Sequence, residues 1–95
     1  MKIRELIELL DETIANVKIA LVANQQRSFE SPHTSYEFTQ RALELEEDLG
    51  DLEKVREYLS KFDPEDEAEE HFSKEEIERL VELLELLQKV DAHLY

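Results

Sequence analysis

The stretch ALELEEDLGDLEKVREYL, Ala42 to Leu59, holds the only glycine of the chain among residues that otherwise favour helix. Apolar residues pass through this glycine at intervals of seven: Phe38, Leu45, Leu52 and Leu59, with Ala42 and Leu49 at intermediate positions. The end of one helix and the start of another would normally shift the phase of this seven-residue spacing. A glycine in the middle of a helix costs only roughly 1 kcal/mol of stability relative to alanine. The spacing therefore predicts one continuous helix over 35–62, in preference to two shorter helices joined at Gly50. Within it, Gly50 would mark a gentle bend or the close approach of a neighbouring backbone.

Two further helices flank this one. Apolar residues at steps of three and four predict a first helix over 2–27, and its inward face comprises Ile3, Leu6, Ile7, Leu10, Ile14, Val17 and Leu21. A third helix over 74–93 is indicated by FSKEEI, in which Ser73 and Glu76 occupy capping-box positions and Phe72 and Ile77 those of a hydrophobic staple. Its inward face comprises Ile77, Leu80, Val81, Leu84, Leu87 and Leu94.

Local signals also mark the connections between the helices. TSYE offers a second capping box, with Thr34 and Glu37, where the helix over 35–62 begins. Asp63 and Pro64 are typical of a helix start and favour a short extra turn at 64–70. The 95 residues are enough for one modest core. We therefore expect a single all-α domain over 1–95, an antiparallel bundle of three long helices, with a helical hairpin completed by a partner chain as the alternative.

The net charge of −14 is distributed unevenly. Residues 1–43 contain 6 acids and 5 bases, whereas residues 44–95 contain 19 acids and 6 bases. So acidic a surface repels nucleic acid and anionic membranes and favours basic partners or simple solubility. The N-terminal sequence has no apolar leader segment, and no window is apolar enough to span a membrane. A cytoplasmic protein that binds neither nucleic acid nor membrane is expected.

The first helix carries a second apolar stripe, which a single bundle does not easily bury. At about 100° per residue, Ala15, Ile19, Val22 and Ala23 cluster away from the inward face. Between Thr13 and Phe29 the only charged residues are Lys18 and Arg27. Either the third helix covers this stripe, or the stripe contacts a second copy or a partner helix. We take it as the candidate interface.

Acidic residues of the second helix permit a chemical interpretation. Glu44, Glu47, Asp48 and Asp51 form a candidate acidic surface, and carboxylates at helical spacing suit Mg²⁺. The string EEDLGDL resembles part of the metal-binding signature of all-α nucleotide pyrophosphohydrolases of the MazG type. That resemblance implies Mg²⁺-dependent hydrolysis, with Asp48 and Asp51 in the second motif and Glu5 and Glu8 in the first. Arg4 and Asp48 depart from the family pattern of glutamates, and a solvated helix face is the favoured interpretation.

No other catalytic constellation is present in the sequence. The chain has no cysteine, and His33, His71 and His93 share no ligand spacing. We therefore expect no catalytic residue, metal or cofactor. The favoured function is a small acidic helical interaction module, an adaptor or regulator that self-associates through the first helix in a coiled-coil manner. The alternative from another class is an acidic decoy that occupies the basic nucleic-acid-binding site of another protein.

Overall fold

A computed structural model describes residues 1–30 and 35–93, with side chains over 1–29 and 36–88. It contains three α-helices, α1 (Ile3–Glu30), α2 (Ser35–Leu59) and α3 (Lys74–His93), and a 3-10 turn at Ala68–Glu70. The described residues include no strand apart from an isolated bridge between Lys2 and Glu67. The predicted all-α, three-helix architecture is thus confirmed. The second helix is continuous through Gly50, as predicted.

The helix ends differ from the predicted ones by a few residues. α1 continues to Glu30 instead of residue 27, since no helix breaker occurs before Pro32. α2 ends at Leu59 instead of residue 62, where tighter bonds from the Lys61 and Phe62 amides lead into the turn. The extra turn expected at 64–70 is shorter than predicted. Thr34, which is one half of the second capping box, and Leu94 lie outside the described residues.

Contacts along α1 define the arrangement of the bundle. Asp11 accepts a hydrogen bond from Arg56 at 2.9 Å, and Glu46, ten residues earlier in α2, accepts one from Gln25 at 3.3 Å. α2 therefore runs antiparallel to α1. The other side of α1 packs against α3, where Gln88 donates to the Thr13 hydroxyl at 3.0 Å. The bundle is elongated, about 51 × 20 × 16 Å.

The core follows the predicted faces of the three helices. Its buried apolar members are Ile3, Leu6, Leu10, Ile14, Val17, Ala20, Ala42, Leu45, Leu52, Leu59, Ala68, Ile77 and Leu84. Thr13 and Asn24 are also fully buried. The Asn24 amide donates to the Ala20 carbonyl at 2.8 Å, while its Oδ1 has no hydrogen-bond partner among the described residues. These two polar positions lie at intervals of seven from Leu6 and Val17, so the heptad spacing could have identified them.

The segment after α2 completes the start of α1. The Ile3 and Arg4 amides donate to the carbonyls of Asp66 and Pro64, each at 2.9 Å. These amides belong to the first turn of a helix, where no partner exists within the helix. In the opposite direction, the Ala68 amide donates to the Met1 carbonyl at 2.7 Å. The segment therefore serves as a backbone cap that fixes the end of the bundle.

Candidate functional site

The α1 outer stripe, defined as Ala15, Ile19, Val22 and Ala23, faces away from the core. Ile19 lies nine residues after the buried Leu10, about 180° around the helix. Its side chain is 55% exposed and that of Val22 is 59% exposed. Ala15 is also exposed, and Ala23 is half-buried. The interpretation that the third helix covers this stripe is therefore wrong, because α3 packs against the side of α1 that carries Thr13.

Phe29 extends the same side of α1 and was not singled out from the sequence. It is 88% exposed and follows Val22 by seven residues. The series Ala15, Ile19, Val22, Gln26 and Phe29 alternates steps of four and three, which is the spacing of a coiled-coil seam. That spacing is the signal that could have identified Phe29.

The candidate acidic surface comes together on one side of α2. Partial burial raises the pKa of Asp48, and the nearby charges of Asp51, Glu44 and Glu47 raise it further. The side chain of Asp48 is half-buried, whereas the other three are exposed. Among the described side chains, no base forms an ion pair with Asp48. The structure thus gathers three acids around the carboxylate of Asp48, which has no counter-charge among the described side chains.

The residues that the pyrophosphohydrolase resemblance would combine do not lie together. α1 and α2 are antiparallel, with Asp11 beside Arg56 and Lys18 within 4.0 Å of Glu53. Glu5 and Glu8 are therefore level with the C-terminal end of α2. About ten residues of α2, roughly 15 Å at 1.5 Å per residue, separate that level from Asp48 and Asp51. One metal ion could not be held by both pairs.

His71 lies in a small cluster with two acidic residues. Its Nε2 is 3.0 Å from Asp66 Oδ2, and with Glu70 these residues offer three ligand atoms within 4.8 Å of one another. No other such group occurs among the described residues. The imidazole also packs against the Phe62 ring, at 4.6 Å between centroids. These contacts explain its position structurally. His33 lies outside the described residues, and the side chain of His93 is not described.

None of the described helices is long and apolar enough to cross a membrane. No protein-family model matches the chain, and neither a curated protein nor a solved structure shows significant similarity to it. The functional interpretation therefore depends on the surfaces of the molecule itself.

Proposed function

We propose that this protein is a non-catalytic helical interaction module that self-associates through the outer stripe of α1. The observation that carries the proposal is the exposure of Ile19 and Val22 on the face of α1 opposite the core. Residues 13–29 carry only the charges of Lys18 and Arg27. The proposal keeps the cytoplasmic location and the adaptor or regulator role expected from the sequence.

The charge distribution favours a second copy as the partner. α2 and α3 pack on the other side of α1, and α3 with most of α2 belongs to residues 44–95, which contain 19 acids and 6 bases. Two copies that met through their outer stripes would hold these acidic halves on opposite outer sides of the dimer. Repulsion would then be weakest in this arrangement. A two-fold axis would bring the same stripe from each copy into contact.

The exposed apolar surface suits a reversible dimer. The exposed fractions of Ile19, Val22 and Phe29 are 55%, 59% and 88%, the equivalent of about two whole side chains per copy. Full burial of such a side chain contributes about 1.5–3 kcal/mol, so the pair of copies would gain about 6–12 kcal/mol. Association costs about 4–15 kcal/mol. The largest gain and the smallest cost leave a net of about 8 kcal/mol, which corresponds to a dissociation constant of about 1 μM, so we expect association no tighter than micromolar.

Ile19→Glu tests this interface. The substitution places a charge in a contact that excludes water, and we expect loss of association. Light scattering at high micromolar concentration should report a larger species for the wild type and a monomer for Ile19→Glu, with helical circular dichroism retained in both. Leu86→Glu is the matched control, since Leu86 is 58% exposed on α3 and should leave association unchanged. A wild type that is monomeric throughout, or an Ile19→Glu variant that unfolds, would contradict the proposal.

The crowding of acids around Asp48 supports the acidic decoy as a second candidate. Glu44, Glu47 and Asp51 give α2 a compact negative surface, which suits the basic site of a nucleic-acid-binding protein. Binding of that kind weakens steeply with salt, because screening shortens to roughly 8 Å near 0.15 M. A decoy would therefore lose its partner between low and physiological salt, and Ile19→Glu would leave that binding unchanged.

A further inference from the structure

One side of the three-helix bundle is open. The backbone of α1 lies close to those of both α2 and α3, whereas the described backbones of α2 and α3 lie farther from each other. A cavity of about 170 Å³ lies between them. Its lining residues are mainly apolar: Leu6, Val55, Leu59, Phe72, Ile77 and Leu80, with Tyr58 and Glu76. This is the floor of a groove between α2 and α3.

The two walls of the groove differ in chemistry. On α3, Leu83 follows Leu80 by three residues, about 60° around the helix, and is 50% exposed. On α2, Asp51 and Asp48 precede Val55 by four and seven residues and therefore lie on the same side of the helix. The α2 wall is thus acidic N-terminal to Val55, whereas the α3 wall is apolar from Leu80 to Leu83.

Among the described side chains, Asp48 has no oppositely charged partner. A half-buried carboxylate beside three other acids is unfavourable in its charged form, which is the cause of its raised pKa. A cation placed next to it would offset both burial and repulsion. The acidic wall is therefore complementary to a lysine or arginine side chain that enters the groove from outside.

We propose that the groove between α2 and α3 binds an amphipathic, basic helix of a partner protein. The apolar face of that helix would lie on Val55, Leu80 and Leu83, and its lysine or arginine side chains would contact Asp48 and Asp51. In helix-in-groove recognition of this kind, the bound helix contacts the groove through apolar residues spaced three and four apart. From Tyr58 to Asp48 this side of α2 covers ten residues, about 15 Å, which matches roughly three turns of a bound helix. This site is separate from the outer stripe of α1 and does not depend on self-association.

A pair of designed peptides tests the proposal. The first is a fluorescein-labelled 14-residue helical peptide with leucines at positions 1, 4, 8 and 11 and lysines on both flanks of that row. The second has glutamate in place of each lysine. In fluorescence anisotropy titrations with the full chain near 0.15 M salt, we expect the lysine peptide to bind at least about tenfold more tightly, because only its charges complement the acidic wall.

Four variants separate the groove from general electrostatic attraction. Leu83→Ser and Asp48→Lys should each weaken binding of the lysine peptide by about fivefold or more, the size expected of residues central to a contact. Leu43→Ser is the matched apolar control, because Leu43 is 51% exposed on α2 outside the groove. Glu78→Lys makes the same change in charge as Asp48→Lys, and Glu78 lies about 140° around α3 from Leu83. Both controls should alter the affinity by less than about twofold.

Circular dichroism of each variant verifies that the helices remain. Equal weakening by Asp48→Lys and Glu78→Lys would overturn the proposal in favour of diffuse attraction to an acidic protein. An unchanged affinity for Leu83→Ser would exclude an apolar contact in the groove, and a lysine peptide that does not bind would also overturn the proposal.

Discussion

Gly50 occupies an ordinary helical position. Its φ is negative, and a Cβ added there would have no neighbour within 4 Å. The idea that a neighbouring backbone approaches closely at this glycine is therefore wrong. Gly50 makes no contact that requires a glycine. Its presence therefore lowers the stability of α2, and no described contact compensates for this.

Gly50→Ala should therefore stabilise the protein. The gain expected from the lower conformational entropy of the unfolded chain and the better helix propensity is about 0.5–1 kcal/mol. For a domain of this size, 1 kcal/mol raises the melting temperature by about 4–8 °C. Thermal denaturation followed by circular dichroism measures this. Gln40→Ala, at an exposed position of α2, should give a smaller rise, and a lower melting temperature for Gly50→Ala would contradict a regular helix at that residue.

At the scale of the element, the start of α3 is fixed by its cap. The Glu76 amide donates to the Ser73 hydroxyl at 3.1 Å, and that hydroxyl donates to Glu76 Oε1 at 3.2 Å. The predicted first half of the capping box is thus present, while the carboxylate meets the hydroxyl instead of the Ser73 amide. Phe72 and Ile77, the staple residues, line the same cavity.

Ser73→Ala should destabilise the protein by about 1 kcal/mol, the usual loss when a helix cap is removed. Ser60→Ala is the matched control. The Ser60 hydroxyl donates to the Glu57 carbonyl at an exposed position, so its loss should cost less than about 0.5 kcal/mol. Urea denaturation of both variants measures the difference, and equal effects would show that the Ser73 cap contributes nothing beyond an ordinary surface serine.

Side-chain spacing in the sequence predicts some features of the helices well and others not at all. The period of seven through Gly50 and the Ser73 cap were enough to predict a continuous α2 and the bounds of α3. The cap of α1 could not be found in this way, because backbone carbonyls of Pro64 and Asp66 supply it. Backbone groups are the same in every residue, and only the fold decides which ones meet.

The candidate surfaces were predictable only in part. The outer stripe of α1 follows from helical angles, since its residues are opposite the inward face. The groove does not, because it depends on how far α3 lies from α2. Leu80, Leu83, Leu84 and Leu87 make the apolar side of α3 wider than a contact with α1 alone would need, which is the sequence signal that corresponds to the groove.

At the scale of the whole molecule, lowering the pH has two opposite effects on the free energy of unfolding. Salt bridges with Lys2 and Arg4 keep the pKa of Glu65 below its usual value, and the Met1 amino group does the same for Glu69. Their contribution is present above about pH 4.5 and is lost as the pH falls through the lowered values. Asp48 has a raised pKa, so its unfavourable charge is removed as the pH falls through that raised value towards 3.8.

We therefore expect stability to rise as the pH falls through the raised pKa of Asp48, and the loss of the Glu65 and Glu69 contributions to lower it below about pH 4.5. Asp48→Asn should remove the rise and stabilise the protein at pH 7 by about 0.4–1 kcal/mol, the sum of two like-charge pairs with Glu44 and Asp51. Urea denaturation at pH 7, 5 and 4 measures both effects. Glu57→Gln is the control, because Lys54 and Lys61 flank Glu57 at helical spacing. An equal gain for Glu57→Gln would indicate relief of net charge alone.

Because of the backbone cap of α1, the order of synthesis also influences the order in which the helices fold. Its donors, the Ile3 and Arg4 amides, are made roughly 60 residues before the carbonyls of Pro64 and Asp66 that accept from them. At about 5–20 residues per second, a ribosome takes roughly 3–12 s to cover that distance. During this interval only water satisfies the first amides of α1, and α2 is completed at Leu59, five residues before Pro64. The hairpin of α1 and α2 therefore has time to form first, and the segment at 63–68 closes the end of the bundle that was synthesised earliest.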